Sequence, residues 1–153
     1  MSSQASIRHA LVTDASGISK LIASTSEICC FNEAAPCPDW YLISLQTQAI
    51  ETLIASERMV FLLAAMSDPR IAGVLAIEDK LSIKYFVDPE HQKMGIGKLL
   101  WQFAKNSGEF GAKLKVRSSL FAVPVYERLG FECSGPPSSF NGLHFQSMAN
   151  HHP

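Results

Sequence analysis

The sequence predicts a single mixed α/β domain built around one sheet. Length is the first observation, because 153 residues is the size of one ordinary domain. Composition is the second, since 47% apolar against 18% charged residues describes a packed core and not a disordered chain. Periodicity is the third. Apolar residues repeat every three or four positions in some stretches and run short and continuous in others, with glycine and proline at the changes. No internal repeat or second domain is visible, so residues 1–153 read as one domain with 1–6 and 150–153 as flexible ends.

Ile7 to Val12 is the first expected strand, and Thr13 or Asp14 the cap of the helix that follows. Ile18, Leu21, Ile22, Thr25 and Ile28 keep helical spacing in it. Prolines between Asn32 and Asp39 break the pattern. A second helical region spans about 39–56, carrying Trp40, Ile43, Ile50 and Leu53, with a break expected near Gln48. The period then shortens. Met59 to Met66, Ile71 to Ile77 and Leu81 to Val87 read as strands joined at Asp68-Pro69 and Glu78-Asp79-Lys80, which is an antiparallel meander. A helix follows on Ile96, Leu99, Leu100, Phe103 and Ser107, and Gly108 stops it. Ala112 to Ser118 is a strand. Val123 to Leu129 is a short helix, with Pro124 in its first turn and Gly130 just past its end. Phe131 to Ser134 and Leu143 to Met148 complete the sheet, separated by Gly135-Pro136-Pro137.

Composition also narrows the function. Thirteen basic against fourteen acidic residues give a formal charge of −1, which argues against a nucleic-acid partner. No apolar run approaches the roughly 18 residues of a membrane span, and the longest stops at Ser67-Asp68-Pro69-Arg70. Met1 to His9 is polar and small, with no signal-peptide core. Cys29, Cys30, Cys37 and Cys133 make no metal-ligand spacing, so no metal is expected. They read as reduced thiols of a cytoplasmic protein, or, for Cys37 between its prolines, as a reactive thiol. His151-His152-Pro153 reads as tail.

Chemistry concentrates in the stretch from Val87 to Leu100, where a strand feeds a loop and the loop feeds an apolar-faced helix. Gly95 and Gly97 bare the backbone where the helix begins. Amides there have no intrahelical partner, and with the helix dipole they suit a phosphate or pyrophosphate. Gln92 adds an amide donor, and Lys93 and Lys98 add positive charge. The same glycines equally suit a tight turn packed close to the sheet. The pattern is neither a Walker loop nor a dinucleotide fingerprint, because no Gly-Lys-Ser/Thr follows and position 100 is leucine.

Gln92-Lys93-Met94-Gly95-Ile96-Gly97 resembles the Q/R-x-x-G-x-G/A signature of the GCN5-related N-acetyltransferase (GNAT) family. Pro124-Val125-Tyr126-Glu127-Arg128-Leu129-Gly130-Phe131 resembles that family's P-F-Y-x-x-L-G-F segment, in the expected order. The resemblance covers about 7–148 and is sharp from about 59 onward. It implies a mostly antiparallel central sheet with flanking helices and a splayed parallel strand pair, the acyl-CoA N-acyltransferase arrangement. Leu81 to Val87 would carry a bulge and diverge from Ala112 to Ser118. Acetyl-CoA would be the cosubstrate, its pantetheine arm pairing with the backbones of Phe86 and Val87. Its pyrophosphate would sit on the segment Lys93, Met94, Gly95, Ile96, Gly97 and Lys98, with Gln92 beside it. Ser119 would hydrogen-bond the arm. Tyr126 matches the tyrosine that protonates the departing thiolate, although helical spacing with Val123 and Leu129 also suits a core residue.

The implied reaction is direct acetyl transfer to a primary amine, a small molecule or a peptide N-terminus, with no membrane partner. A homodimer is a family-level expectation. This sequence departs from the family at Arg117, where asparagine is usual, and at Leu81-Ser82-Ile83-Lys84-Tyr85, which lacks the common glutamate. Glu33 and His144 are the remaining candidates to accept a proton, through water. Asp88 reads as a turn residue. Phe31, Trp40, Tyr41 and Phe140 are candidates to line the acceptor pocket, and no carboxylate cluster favours a polycation. A non-catalytic acyl-CoA sensor stays open as an alternative, as does an interaction protein whose glycines only shape a turn.

Overall fold

The structure, a computed structural model, describes residues 5–29, 38–67, 70–120 and 122–153, the side chains at 26–29, 89, 92 and 93 excepted. The strands are β1 (Ser6–His9), β2 (Met59–Ala65), β3 (Ile71–Glu78), β4 (Ser82–Val87), β5 (Leu114–Ser118), β6 (Glu132–Cys133), β7 (Ser138–Phe140) and β8 (Leu143–Asn150). The helices are α1 (Ala15–Cys29), α2 (Asp39–Ser44), α3 (Thr47–Ile54), α4 (Ile96–Asn106) and α5 (Val123–Arg128). The sheet order is β1-β2-β3-β4-β5-β8-β6, with β7 also on β8. Every pairing is antiparallel except β4 with β5.

Strand alternation divides the core into two layers. Leu62, Ala64, Leu75, Ile77, Ile83, Leu114, Val116 and Met148 point to the side holding Ile96, Leu100, Trp101 and Ala104 of α4 and Tyr126 of α5. The intervening Phe61, Leu63, Val74 and Ala76 point the other way, onto Ala15, Ile18, Leu21 and Ile22 of α1 and Ile50 of α3. The meander and the helix that follows the glycines therefore form as their periods predict. No helix among the described residues is long and apolar enough to cross a membrane.

Three boundaries differ from expectation. The first strand ends at His9, and Val12–Asp14 is a 3-10 turn running directly into α1. Leu11 and Val12, read as strand, are exposed. Asp14 looks backward, accepting from the Leu11 amide at 2.7 Å and from Arg8 at 2.8 and 2.9 Å. The second helical region breaks at Leu45-Gln46, close to the expected Gln48, and Ser19 Oγ donates to the Leu45 carbonyl there. At the ends, Ser6 lies in β1 and Asn150 in β8, each inside a range expected to be tail. Asn150 is buried, and its Nδ2 donates to Leu129 O at 2.9 Å. Of the proline break before Asp39 only Pro38 is described, as the extended residue that precedes α2, and the Asp68-Pro69 turn lies outside the described residues.

One hairpin was not anticipated. β7 turns into β8 through Asn141 (φ 47°) and Gly142 (φ 88°), both left-handed, as a tight two-residue turn demands. Glycine takes this conformation without strain and asparagine tolerates it.

The hydrogen bond from Arg8 holds the Asp14 carboxyl below its ordinary range, and the Leu11 amide adds to this. Its stabilising contribution is therefore complete above the ordinary carboxylate value of about 4 and is lost as pH falls through the lower folded value. Asp14→Asn should cost about 1 kcal/mol at neutral pH. Urea titrations of both proteins check it. The gap between them should narrow as the pH falls below about 4, and a gap that does not change with pH would assign the loss to packing instead.

Candidate active site

The site opens where β4 and β5 part. β4 pairs with β3 from Ser82 to Val87, and β5 pairs with β8 from Leu114 to Ser118. Between β4 and β5 there is a single ladder pair, Ser82 with Lys115. Lys115 N donates to Leu81 O at 2.7 Å and Gly111 N to Lys80 O at 2.8 Å. A Cβ on Gly111 would stand 2.7 Å from Lys80 O, so only glycine permits this approach. Past this vertex a cleft of about 900 Å³ opens, lined among others by Ser82, Tyr85, Phe86, Arg117, Ser119 and Tyr126. The expected bulge in 81–87 is absent. The β3–β4 register is unbroken, and the irregularity lies at Ala64/Ala65 between β2 and β3. The opening comes from β5 leaving a regular strand.

Strand geometry also corrects which backbones face the cleft. Leu81 O points to β5, whereas Asp88 N donates to Ala72 O on the β3 side. Backbone groups alternate sides along the strand. Tyr85 and Val87 therefore turn their amides and carbonyls to the β5 side, and Lys84 and Phe86 turn theirs to β3. Phe86 O lies 3.2 Å from where a Cβ on Gly73 would stand, in agreement. Tyr85 thus occupies the place expected of Phe86. The same parity turns the Lys115 and Arg117 backbones toward the gap.

The glycine segment follows β4. Asp88 Oδ1 accepts from Glu90 N at 3.0 Å and starts a 3-10 segment, Pro89–Met94. His91 is buried within it, its Nδ1 3.4 Å from Asp88 Oδ2. Asp88 is a turn former, as its sequence position suggested. Gly95, at φ 76°, swings the chain into α4 with open space around its Cα. Leu99 N donates to Gly95 O, and helix geometry leaves the amides of 96–98 without an intrahelical acceptor. Ile96 anchors this end in the core, while Met94 and Lys98 are exposed. The side chains of Gln92 and Lys93 lie outside the described ones. None of residues 92–98 lines the cleft itself.

Gly97 has a second reason to be glycine. A Cβ there would collide with Tyr85 Oη and stand 3.1 Å from its Cζ. Tyr85 therefore reaches from β4 to the start of α4. Its ring centroid is 6.3 Å from that of Tyr126. Burial pushes the Tyr85 phenol far above its ordinary range, so it stays a neutral hydroxyl. In the sequence Tyr85 stands out only as the end of the stretch that lacks the family's common glutamate.

Tyr126 is 5% exposed and lines the cleft. The segment Tyr126 to Phe131 closes α5 with a Schellman cap. Phe131 N donates to Tyr126 O and Gly130 N to Glu127 O, each at 3.0 Å, with Gly130 at φ 98°. The Tyr126 and Phe131 rings meet edge to face at 5.5 Å. Tyr126 is thus a packed residue and a cleft residue at once. Ser119 lies in the turn before α5, its Oγ accepting from Ala122 N at 3.1 Å.

Across the cleft, Trp40 and Tyr41 of α2 form a wall. Trp40 Nε1 donates to Asn141 O at 2.9 Å and its ring meets Phe140 at 5.6 Å, which ties α2 to the β7–β8 hairpin. His144 lines the cleft too. Phe31, Glu33 and Cys37 lie outside the described residues. No group of three His, Cys, Asp or Glu among the described residues could hold a metal.

Comparison with known proteins agrees with this geometry. The family model described as acetyltransferase (GNAT) domain matches residues 37–151. A GCN5-related N-acetyltransferase structure from Rhodopseudomonas palustris superposes with a TM-score of 0.75 at 16% identity, covering 99% of this chain and 98% of that one. PaiA N-acetyltransferase from Thermoplasma acidophilum, solved with coenzyme A, gives 0.73 at 16% identity over 99% of this chain and 100% of that one. A GNAT-family acetyltransferase from Streptococcus pneumoniae gives 0.69 at 19%, over 98% and 100%. A search of curated proteins finds no match.

The Tyr85–Gly97 contact is testable by a double-mutant cycle. Gly97→Ala should lose about 1–3 kcal/mol of stability by overpacking. Adding Tyr85→Phe removes the colliding oxygen and should recover part of that loss in denaturant titrations. Strictly additive effects would show that Gly97 is glycine for some other reason.

Proposed function

Because the chain belongs to the GNAT acetyltransferase family, we propose that it moves an acetyl group from acetyl-CoA directly to a primary amine across the β4–β5 cleft. One observation carries this reading: β4 and β5 touch at a single pair and then part, with Tyr85 on the cleft that opens between them. Such an edge suits an extended arm with its own amides. The amino end of α4 suits a pyrophosphate, with Lys98 in its first turn and Gly95 bringing the backbone close. Ligand sites at the carboxyl ends of diverging strands are a general property of parallel pairs.

Acetyl-CoA supplies the thioester carbon that the amine attacks. The chain's part is orientation and proton handling. The cleft walls, Trp40 and Tyr41 on one side and Tyr85 and Tyr126 on the other, set the approach of the amine. Tyr126 Oη holds the proton that the departing thiolate takes. The amine's own proton leaves through water toward His144 or Glu78, the histidine and the acidic residue among the described cleft residues.

Calorimetric titration with acetyl-CoA, followed by an amine screen, tests the reading. Saturable one-to-one binding and acetyl-CoA-dependent amine acetylation are expected. Binding without turnover on any amine would favour an acyl-CoA sensor, and no binding by folded protein would leave the glycines as turn residues. Tyr126→Phe should lower kcat about 100-fold while acetyl-CoA affinity changes less than about twofold. Unchanged turnover would return Tyr126 to a packing role alone.

A further inference from the structure

The α2-facing floor of the cleft is positively charged. Alternation puts Leu114 and Val116 of β5 in the α4 core, so Lys115 and Arg117 face the other side. The same rule puts Ile83 and Tyr85 on the α4 side and Lys84 opposite. Ser82 pairs with Lys115, which brings these two strands' basic residues onto one surface. Lys113, just before β5, joins them on the cleft lining. Against Lys84, Lys113, Lys115 and Arg117, the only carboxylate among the described lining residues is Glu78.

Arg117 is already oriented. Its guanidinium lies 5.0 Å from the Phe145 ring centroid, and stacking on one face leaves the planar donor fork available at its edge. Among the described residues, Lys113, Lys115 and Arg117 have no carboxylate within ion-pair distance. Solvent reaches Lys84 through the cleft mouth, yet the walls desolvate it enough to pull its ammonium below the ordinary lysine value, against the opposing pull of Glu78. A second anion here would favour its charged form.

These cations are misplaced for the cosubstrate's phosphates. The amino end of α4 lies beyond the carboxyl end of β4 and packs on the opposite face of the sheet. Lys115 sits beside Ser82, the first residue of β4. Lys113 and Lys115 are therefore at the other end, Arg117 is level with Lys84 in the middle of β4, and Lys84, Lys115 and Arg117 are on the other face.

We propose that the acceptor is a small amine carrying a carboxylate, of the α-amino acid type, with Arg117 and Lys115 holding the carboxylate and Lys84 beside them. The assignment rests on the acetyl-transfer reading above and names its substrate class. A carboxylate matches the bidentate fork of arginine. Polyamines and other cationic amines are repelled by the same surface.

Two measurements test it. In the first, the twenty α-amino acids are compared with their α-amides and decarboxylated amines as acceptors. The best acceptor should be a carboxylate, with kcat/KM at least tenfold above its amide, and Arg117→Gln should shrink that ratio to below about threefold. A neutral or cationic amine as best acceptor, or equal rates within a pair, would overturn the proposal. In the second, the corresponding N-acetyl amino acids and N-acetyl amides are titrated calorimetrically into the CoA-loaded protein, which needs no turnover. The acids should bind at least tenfold tighter and lose that margin in Arg117→Gln. If the protein acetylates nothing but still shows this margin, the transfer reading fails and the anion site stands. If neither acid nor amide binds, or Arg117→Gln weakens acetyl-CoA instead, the anion site fails.

Discussion

One contact organises this molecule: the single parallel pair between Ser82 and Lys115. Each strand is fully paired on its outer edge, β4 to β3 and β5 to β8, so the sheet holds together without propagating that contact. Gly111 makes the vertex possible by letting its backbone press against Lys80 O. Buried backbone groups need partners, so strands that part inside a sheet are tolerated where their facing edges open onto a cleft, as they do here.

The helices around the cleft are positioned by the same local rules. α4 begins where Gly95 reverses the backbone, and Tyr85 from the neighbouring strand fills the space that a side chain on Gly97 would take. α5 ends in a Schellman cap whose hydrophobic contact is Tyr126 against Phe131, and Asn150 of β8 fastens its last carbonyl. The aromatic run Tyr85, Tyr126, Phe131 and Trp101 then joins the cleft to the core. Packing and function draw on the same residues, so a motif tyrosine need not be assigned to one or the other.

Much of this was legible in the sequence because it is local. The antiparallel meander, the helix after the glycines and the short helix before Gly130 are each fixed by spacing and end signals within a dozen or so residues. The β7–β8 hairpin was equally local and was missed, although Asn141-Gly142 is a strong two-residue turn signal. Other features were not readable. Whether Phe86 or Tyr85 turns its backbone to the cleft depends on which edge of β4 pairs with β3. The requirement for glycine at 97 depends on a ring twelve residues upstream. The basic floor combines residues of β4 and β5 that only their register unites, in a chain whose overall charge is −1.

We propose that the β4–β5 gap and the start of α4 form one acetyl-CoA site. The most direct measurement is a backbone amide NMR titration with acetyl-CoA. Saturable changes should appear together at Tyr85, Val87, Arg117 and residues 96–98, with smaller changes at Lys84 and Phe86, whose amides are turned to β3. Changes at 96–98 without Tyr85, Val87 and Arg117, or changes confined to another surface, would contradict the account.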